Sequence, residues 1–254
     1  MKRVYLFFLA TMLCVSTYAQ RDAQPKRSGS RSATPSLAQK NHSFFLGVKG
    51  GIDISTMTQP DECNLYDAAG LGFNAGVVGK VRFNRATPNA PAGTGLLGAG
   101  VELKYKQNTV KTIGTNEKGE QNAKLSVGYF EVPVYVHVYP FYKSDVMNTF
   151  YVEAGPDFAG TMTRSPKSLT VETPGERITY NIEDGNTKLK GMDVRIMAGI
   201  GYDYAIKNEK HETTNLVGVN MRYYIGTSKL AGNFNSKMNT LEISLSWMFN
   251  IGKL

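Results

Sequence analysis

Leu241-Glu242-Ile243-Ser244-Leu245-Ser246-Trp247-Met248-Phe249, close to the C-terminus, sorts itself by parity: Leu241, Ile243, Leu245, Trp247 and Phe249 fall on one side, Glu242, Ser244 and Ser246 on the other. Side chains of an extended strand point alternately to opposite faces, so this stretch reads as a β-strand with one greasy wall and one polar wall. An α-helix would scatter the same residues around its circumference.

Working toward the N-terminus, seven more segments repeat the pattern. Phe44 to Ile54 sets Phe44, Leu46, Val48, Ile52 and Ile54 against Lys49 and Asp53; Leu71 to Phe83 sets apolar odd positions against Asn74, Lys80 and Arg82. Leu97 to Tyr105 alternates with Glu102 and Lys104, and Tyr129 to Tyr139 opposes four valines and Phe130 to Glu131, Tyr135 and His137. Phe150 to Phe158 carries Glu153 and Asp157 on its polar side, Met192 to Tyr204 carries Asp193, Arg195 and Asp203, and Leu216 to Ile225 carries Asn220 and Arg222. Pro133 interrupts the fourth segment, where a closed sheet wants an amide, and a β-bulge is expected there.

Eight strands of about nine to thirteen residues suit a lipid-spanning sheet better than a soluble sandwich, whose strands run nearer five or six. The even count allows an antiparallel sheet to close on itself. Period alone does not say which face looks outward. Strand length and an export signal favour the inverted order, apolar outside and charged inside. The expected fold is all-β: an eight-stranded antiparallel up-and-down transmembrane β-barrel with a packed polar lumen. Its interior would hold Lys49, Asp53, Lys80, Arg82, Glu102, Lys104, Glu131, Glu153, Asp157, Asp193, Arg195, Asp203, Arg222 and Glu242, six bases and eight acids. Buried charges must pair, so these residues are expected to form a cross-barrel ion network that plugs the lumen.

The N-terminal residues carry the export signal. Lys2 and Arg3 precede an uncharged run, Val4 to Val15, and small residues around Thr17-Tyr18-Ala19 suit cleavage before Gln20. The run falls short of the roughly twenty apolar residues of a spanning helix. Residues 1–19 are therefore expected to be a signal peptide, 20–42 a polar periplasmic lead-in and 43–254 the barrel. Cleavage would leave Cys63 as the only cysteine, which excludes a disulfide framework within one chain. The formal charge of +8 is spread over turns and strands without a compact motif, so no nucleic-acid partner is expected. The expected surroundings are outer-membrane lipid and, as partners, envelope or secretion proteins.

With the N-terminus in the periplasm, the longer connections face outward: about Ser55 to Gly70, Gln107 to Gly128, Ala159 to Gly191 and Gly226 to Thr240. Ala159 to Gly191 is the longest and is expected to contain a hairpin. Tyr139, Phe141, Tyr142, Phe150, Tyr151, Tyr223, Tyr224 and Trp247 are expected in the aromatic girdles at the membrane edges.

The strand motifs resemble the PorT-type outer-membrane β-barrel family of Bacteroidetes. The likeness rests on Tyr18-Ala19-Gln20, Gly47-Val48-Lys49-Gly50-Gly51, Tyr129-Phe130-Glu131-Val132-Pro133 and Gly199-Ile200-Gly201-Tyr202, and it spans Phe44 to Phe249. The resemblance implies an eight-stranded outer-membrane barrel. Some relatives are linked to type IX secretion and gliding, and the family offers no catalytic constellation to carry over. The basic lead-in and the long connection Ala159 to Gly191 depart from a minimal member.

No enzyme, cofactor or metal is expected. Only His42, His137 and His211 are present; no nucleophile elbow, phosphate loop or dinucleotide fingerprint appears. For His137 the structural reading is a hydrogen bond to an interior acid, against pH response or catalysis. Asp61-Glu62 and Glu183-Asp184 lack the spaced oxygens of a calcium loop and read as solvated turns. The leading function is a structural or interaction barrel, an accessory of envelope secretion machinery. The alternatives are a soluble periplasmic or secreted barrel with an apolar interior binding a small apolar ligand, and a barrel-embedded hydrolase.

Overall fold

The structure, a computed structural model, describes residues 42–58, 66–83, 95–112, 115–116, 118–119, 121, 124–144, 146–173, 176–181, 191–209, 213–227 and 237–253. Eight long strands form the wall: β1 (Ser43–Met57), β2 (Tyr66–Arg82), β3 (Leu97–Thr112), β5 (Lys124–Val138), β6 (Phe150–Ser165), β9 (Met192–Lys207), β10 (Thr213–Gly226) and β11 (Met238–Lys253). They close in the order β1-β11-β10-β9-β6-β5-β3-β2. Each pairs antiparallel with its neighbours in the chain, and β1 meets β11 from Ser43↔Lys253 to Met57↔Met238. The decisive C-terminal stretch is thus the closing strand, with Val48 opposite Trp247 and Asp53 opposite Glu242.

The side chains settle which face looks outward. On β11, Leu245 is 66% exposed and Trp247 51%, whereas Glu242 is 0% exposed. Around the wall Leu46, Val48, Phe73, Val77, Val101, Val134, Ile196 and Val219 are exposed in the same way. So broad an apolar surface is incompatible with water. It suits hydrocarbon, where a closed sheet also satisfies every strand edge. A soluble barrel binding an apolar ligand needs the opposite arrangement and is ruled out on this ground. Spin labels give a direct check: a label at Leu245 should relax strongly with oxygen dissolved among acyl chains, and one at Ser246 should not. The reverse pattern would invert the assignment of faces.

The strands are longer than the alternation suggested, at 14 to 17 residues. On β3 and β5 the apolar outer belt occupies only about nine residues, nearer the end that carries the chain termini. On β3 it runs from Leu97 to Tyr105, beyond which Gln107, Thr109 and Lys111 take the same outward parity. Nine or ten residues at about 3.3 Å, tilted about 40°, span roughly 25 Å, the height of a lipid-facing band. The remaining wall projects past it. The connections expected from Ser55, Gln107 and Ala159 are corrected accordingly, because much of each range is still strand; of Gly226 to Thr240 the strands take Gly226 and the last three residues.

That projecting end carries a three-stranded sheet, β4-β7-β8, of β4 (Thr115–Asn116), β7 (Ser168–Thr173) and β8 (Glu176–Asn181). β7 and β8 form a hairpin within the longest connection, as expected, and β4 joins it from another connection. Cys63, Asp61-Glu62, Glu183-Asp184 and His211 lie outside the described residues, as do 1–41.

Pro133 interrupts the wall without a bulge. The β3–β5 register passes from Val101↔Val134 to Lys104↔Glu131, and the β5–β6 register from Pro133↔Asp157 to Val136↔Ala154, both unshifted. The β5–β6 shift falls at Gly128/Tyr129 instead. Pro133 falls in the gap of the β3–β5 ladder and Pro156 in that of the β5–β6 ladder, so a missing amide donor coincides with each gap and no extra residue is required.

Candidate functional site

The lumen is where the polar chemistry of this chain converges, because strand parity sends one residue in two inward from all eight strands. All fourteen residues expected there are buried, none more than 6% exposed. Lys106 joins them at 0%. With it the interior holds seven bases (Lys49, Lys80, Arg82, Lys104, Lys106, Arg195, Arg222) and eight acids.

Two arginines organise the centre. Arg222 donates Nε to Glu153 Oε1 at 2.6 Å and Nη2 reaches Glu102 Oε1 at 2.8 Å. Arg195 Nη2 contacts Glu131 and lies 2.6 Å from Asp157 Oδ2. Three lysines tie these groups to the opposite wall. Lys49 sits 3.3 Å from Glu102 and 2.9 Å from Glu242. Lys104 is 2.6 Å from Glu242 and 3.6 Å from Glu131. Lys106 is 3.1 Å from Asp53 and 3.0 Å from Glu242. Lys80 pairs with Asp203 at 3.1 Å nearer the terminal mouth. Twelve of the fourteen expected residues take part in the ion pairs just given. Arg82 bonds carbonyl oxygens, and Asp193, which also has a partner, is buried opposite Ala159.

Tyrosines fill the space between the charges. Tyr135 donates its hydroxyl to Glu102 at 2.7 Å, Lys104 donates to the Tyr224 hydroxyl at 2.8 Å, and Lys80 to that of Tyr151 at 3.1 Å. Lys106 lies 3.8 Å from the centre of the Tyr224 ring and Arg222 4.5 Å from that of Tyr135, where the negative ring face attracts a cation. Gly100 and Gly201 make room for this layer, since a Cβ on either would overlap the ring of Tyr135 or Tyr151. Tyr139, Tyr151 and Tyr224 are therefore not girdle residues, contrary to expectation. A phenol buried among charges finds partners that hydrocarbon would deny it. Phe141, Tyr223 and Trp247 do face outward.

His137 is 0% exposed, with Nε2 3.1 Å from Glu153 Oε2. The rings of Tyr135, Tyr139 and Tyr151 enclose it at 4.7 to 5.9 Å. The geometry places it in a structural hydrogen bond beside Arg222. Among the described residues no group of three or more His, Cys, Asp or Glu side chains could hold a metal ion. His42 sits edge-on to Phe83 at 5.6 Å, outside the lumen.

Beyond the ion layer the projecting half of the interior turns apolar. Val110, Leu125, Val127 and Met238 are all 1% exposed or less. Asn108 donates to Met238 Sδ at 3.1 Å beneath them. The lumen is filled by paired charge in the membrane half and by apolar side chains above it.

Solved structures of similar shape include Neisserial surface protein A, 10% identical, covering 82% of this chain and 97% of that one with a TM-score of 0.40. Ail of Yersinia pestis in a phospholipid nanodisc is 9% identical over 83% of this chain and 99% of its own, at 0.35. The outer membrane protein AlkL in lipid bilayers is 10% identical over 90% and 98%, at 0.26. No curated protein sequence matches. A family profile described as outer membrane protein beta-barrel domain matches residues 23–232. With that match extending over most of its length, the chain belongs to the outer membrane protein beta-barrel domain family.

Proposed function

We propose that this barrel is a non-conducting structural or interaction protein of the outer membrane. On this reading residues 1–19 are removed on export, 20–42 lie in the periplasm, and partners meet the projecting end with its β4-β7-β8 sheet. The observation that carries it is the filled lumen: mutually paired charges, followed by buried Val110, Leu125, Val127 and Met238, occupy the described interior. A barrel that neither conducts nor encloses a large ligand cavity has its outer wall and its two ends left for contact. Long connections on a rigid scaffold are where binding residues concentrate.

Reconstituted into planar bilayers, the protein is expected to give no stable open conductance. A wide, long-lived channel would overturn the reading. The PorT-type resemblance supports a narrower version, an accessory of an envelope secretion assembly. Crosslinking in native envelopes should then recover secretion-machine components with the barrel; its reproducible isolation alone would count against that version. No catalytic step belongs to the reading, since His137 is committed to Glu153 and enclosed by tyrosines.

A further inference from the structure

Of the seven buried cations, six have a carboxylate within 4 Å and Arg82 has none among the described residues. Its guanidinium donates Nε to the Gly95 carbonyl at 2.9 Å and Nη2 to the Asn148 carbonyl at 2.8 Å, and it lies 3.8 Å from the centre of the Tyr139 ring. Both carbonyls belong to turns at the mouth that carries the chain termini. Among the described residues this positive charge is held by neutral dipoles, in a lumen where each of the other six bases has a carboxylate, and it can take a further counter-ion.

A small cavity lies against it. Its walls include Lys80, Arg82, Thr149, Thr213, Ala205 and Leu216, with Phe45, Tyr139 and Asp203 completing them. Asp203 is neutralised by Lys80 at 3.1 Å, so the charge remaining is that of Arg82. The opposite side is apolar, continuous with the packed group of Phe45, Val78, Leu216 and Met248. Thr149, Ala205 and Thr213 are half-buried, which leaves the cavity accessible from the mouth.

We propose that this cavity is a binding site for a small carboxylate carrying a short apolar group. The carboxylate would accept from the Arg82 guanidinium while a methyl- or ethyl-sized group rests on Ala205 and Leu216. Two sources share this chemistry, a free short-chain acid and the terminal carboxylate of a peptide ending in a small apolar residue. The site stands apart from the role given to the projecting end, because it lies at the other mouth.

The test uses the full chain folded in nanodiscs, titrated by ligand-observed NMR with propionate, propanamide, N-acetylalanine and N-acetylalaninamide. Saturable binding of propionate or N-acetylalanine, with no binding of the amides, is expected; whichever acid binds more tightly identifies the source. Arg82→Gln should weaken binding by roughly 10- to 100-fold, as loss of a charge-assisted hydrogen bond does. Arg82 also tethers two turns, so Ala205→Leu serves as the second variant: it fills the cavity, leaves the Arg82 bonds in place and should abolish binding. Heat-modifiable gel mobility reports folding of each variant. Equal binding of acid and amide, no saturable binding of either acid, or native affinity in folded Ala205→Leu would overturn the proposal.

Discussion

Arg195→Met is expected to destabilise the folded barrel by about 3–5 kcal/mol, the cost of removing one partner from a buried ion cluster. Arg195 is 0% exposed and is the only ion-pair partner of Asp157 among the described residues; it also contacts Glu131. Its loss strands a carboxylate with no water to solvate it, and methionine fills the volume without replacing the charge. If charge, not packing, is responsible, Arg195→Met/Glu131→Gln/Asp157→Asn should recover most of the loss, because nothing is then left uncompensated. Urea unfolding in lipid vesicles, followed by Trp247 fluorescence and gel mobility, measures both. A single variant within about 0.5 kcal/mol of the native protein, the range of a surface change, would mean that the network does not hold the lumen together.

The parity of the sequence carried most of this architecture. All eight wall strands lie where the alternation put them, and the fourteen inward charges follow from it, because a strand offers only two faces and the hydrocarbon centre disfavours charge on the lipid-facing one. What parity could not reach was the strand above the lipid. Lys106 continues the even-numbered series of Glu102 and Lys104 into the interior, yet the apolar–polar alternation ends at Tyr105 because Gln107 and Thr109 make the outer face polar too. Once both faces are polar, hydropathy no longer marks a strand, although the backbone ladder runs on to Thr112.

The interior tyrosines were misplaced for a related reason. Phe150-Tyr151 and Tyr223-Tyr224 are doublets, and adjacent residues must point opposite ways. Only the register shows that Phe150 and Tyr223 look outward while the following tyrosine bonds a lysine. Aromatic composition alone suggested a girdle for both members. Long-range features had still less local signal. Nothing in Thr115–Asn116 announces a rung on β7 more than fifty residues later. That Arg82, alone of the seven buried bases, has no carboxylate within 4 Å among the described residues likewise appears only in the folded arrangement.

Leu245→Arg discriminates between membrane and water by magnitude. Leu245 is 66% exposed, midway along β11, opposite Gly50 and Val219 on the outer face. In water, an arginine at so exposed a position would change stability by no more than about 0.5 kcal/mol either way. At the midplane of a bilayer the same change should cost about 2–4 kcal/mol, since the guanidinium must drag water or headgroups toward the hydrocarbon centre. Thr56→Arg is the control. It is exposed on the same outward parity at the far end of β1, opposite Asn239, beyond the apolar belt. There the cost should fall to about 0–1 kcal/mol. Reversible urea unfolding in phosphatidylcholine vesicles reads the two side by side. If Leu245→Arg were as mild as Thr56→Arg, the belt would not be facing lipid, and the inward packing of charge would need a different cause.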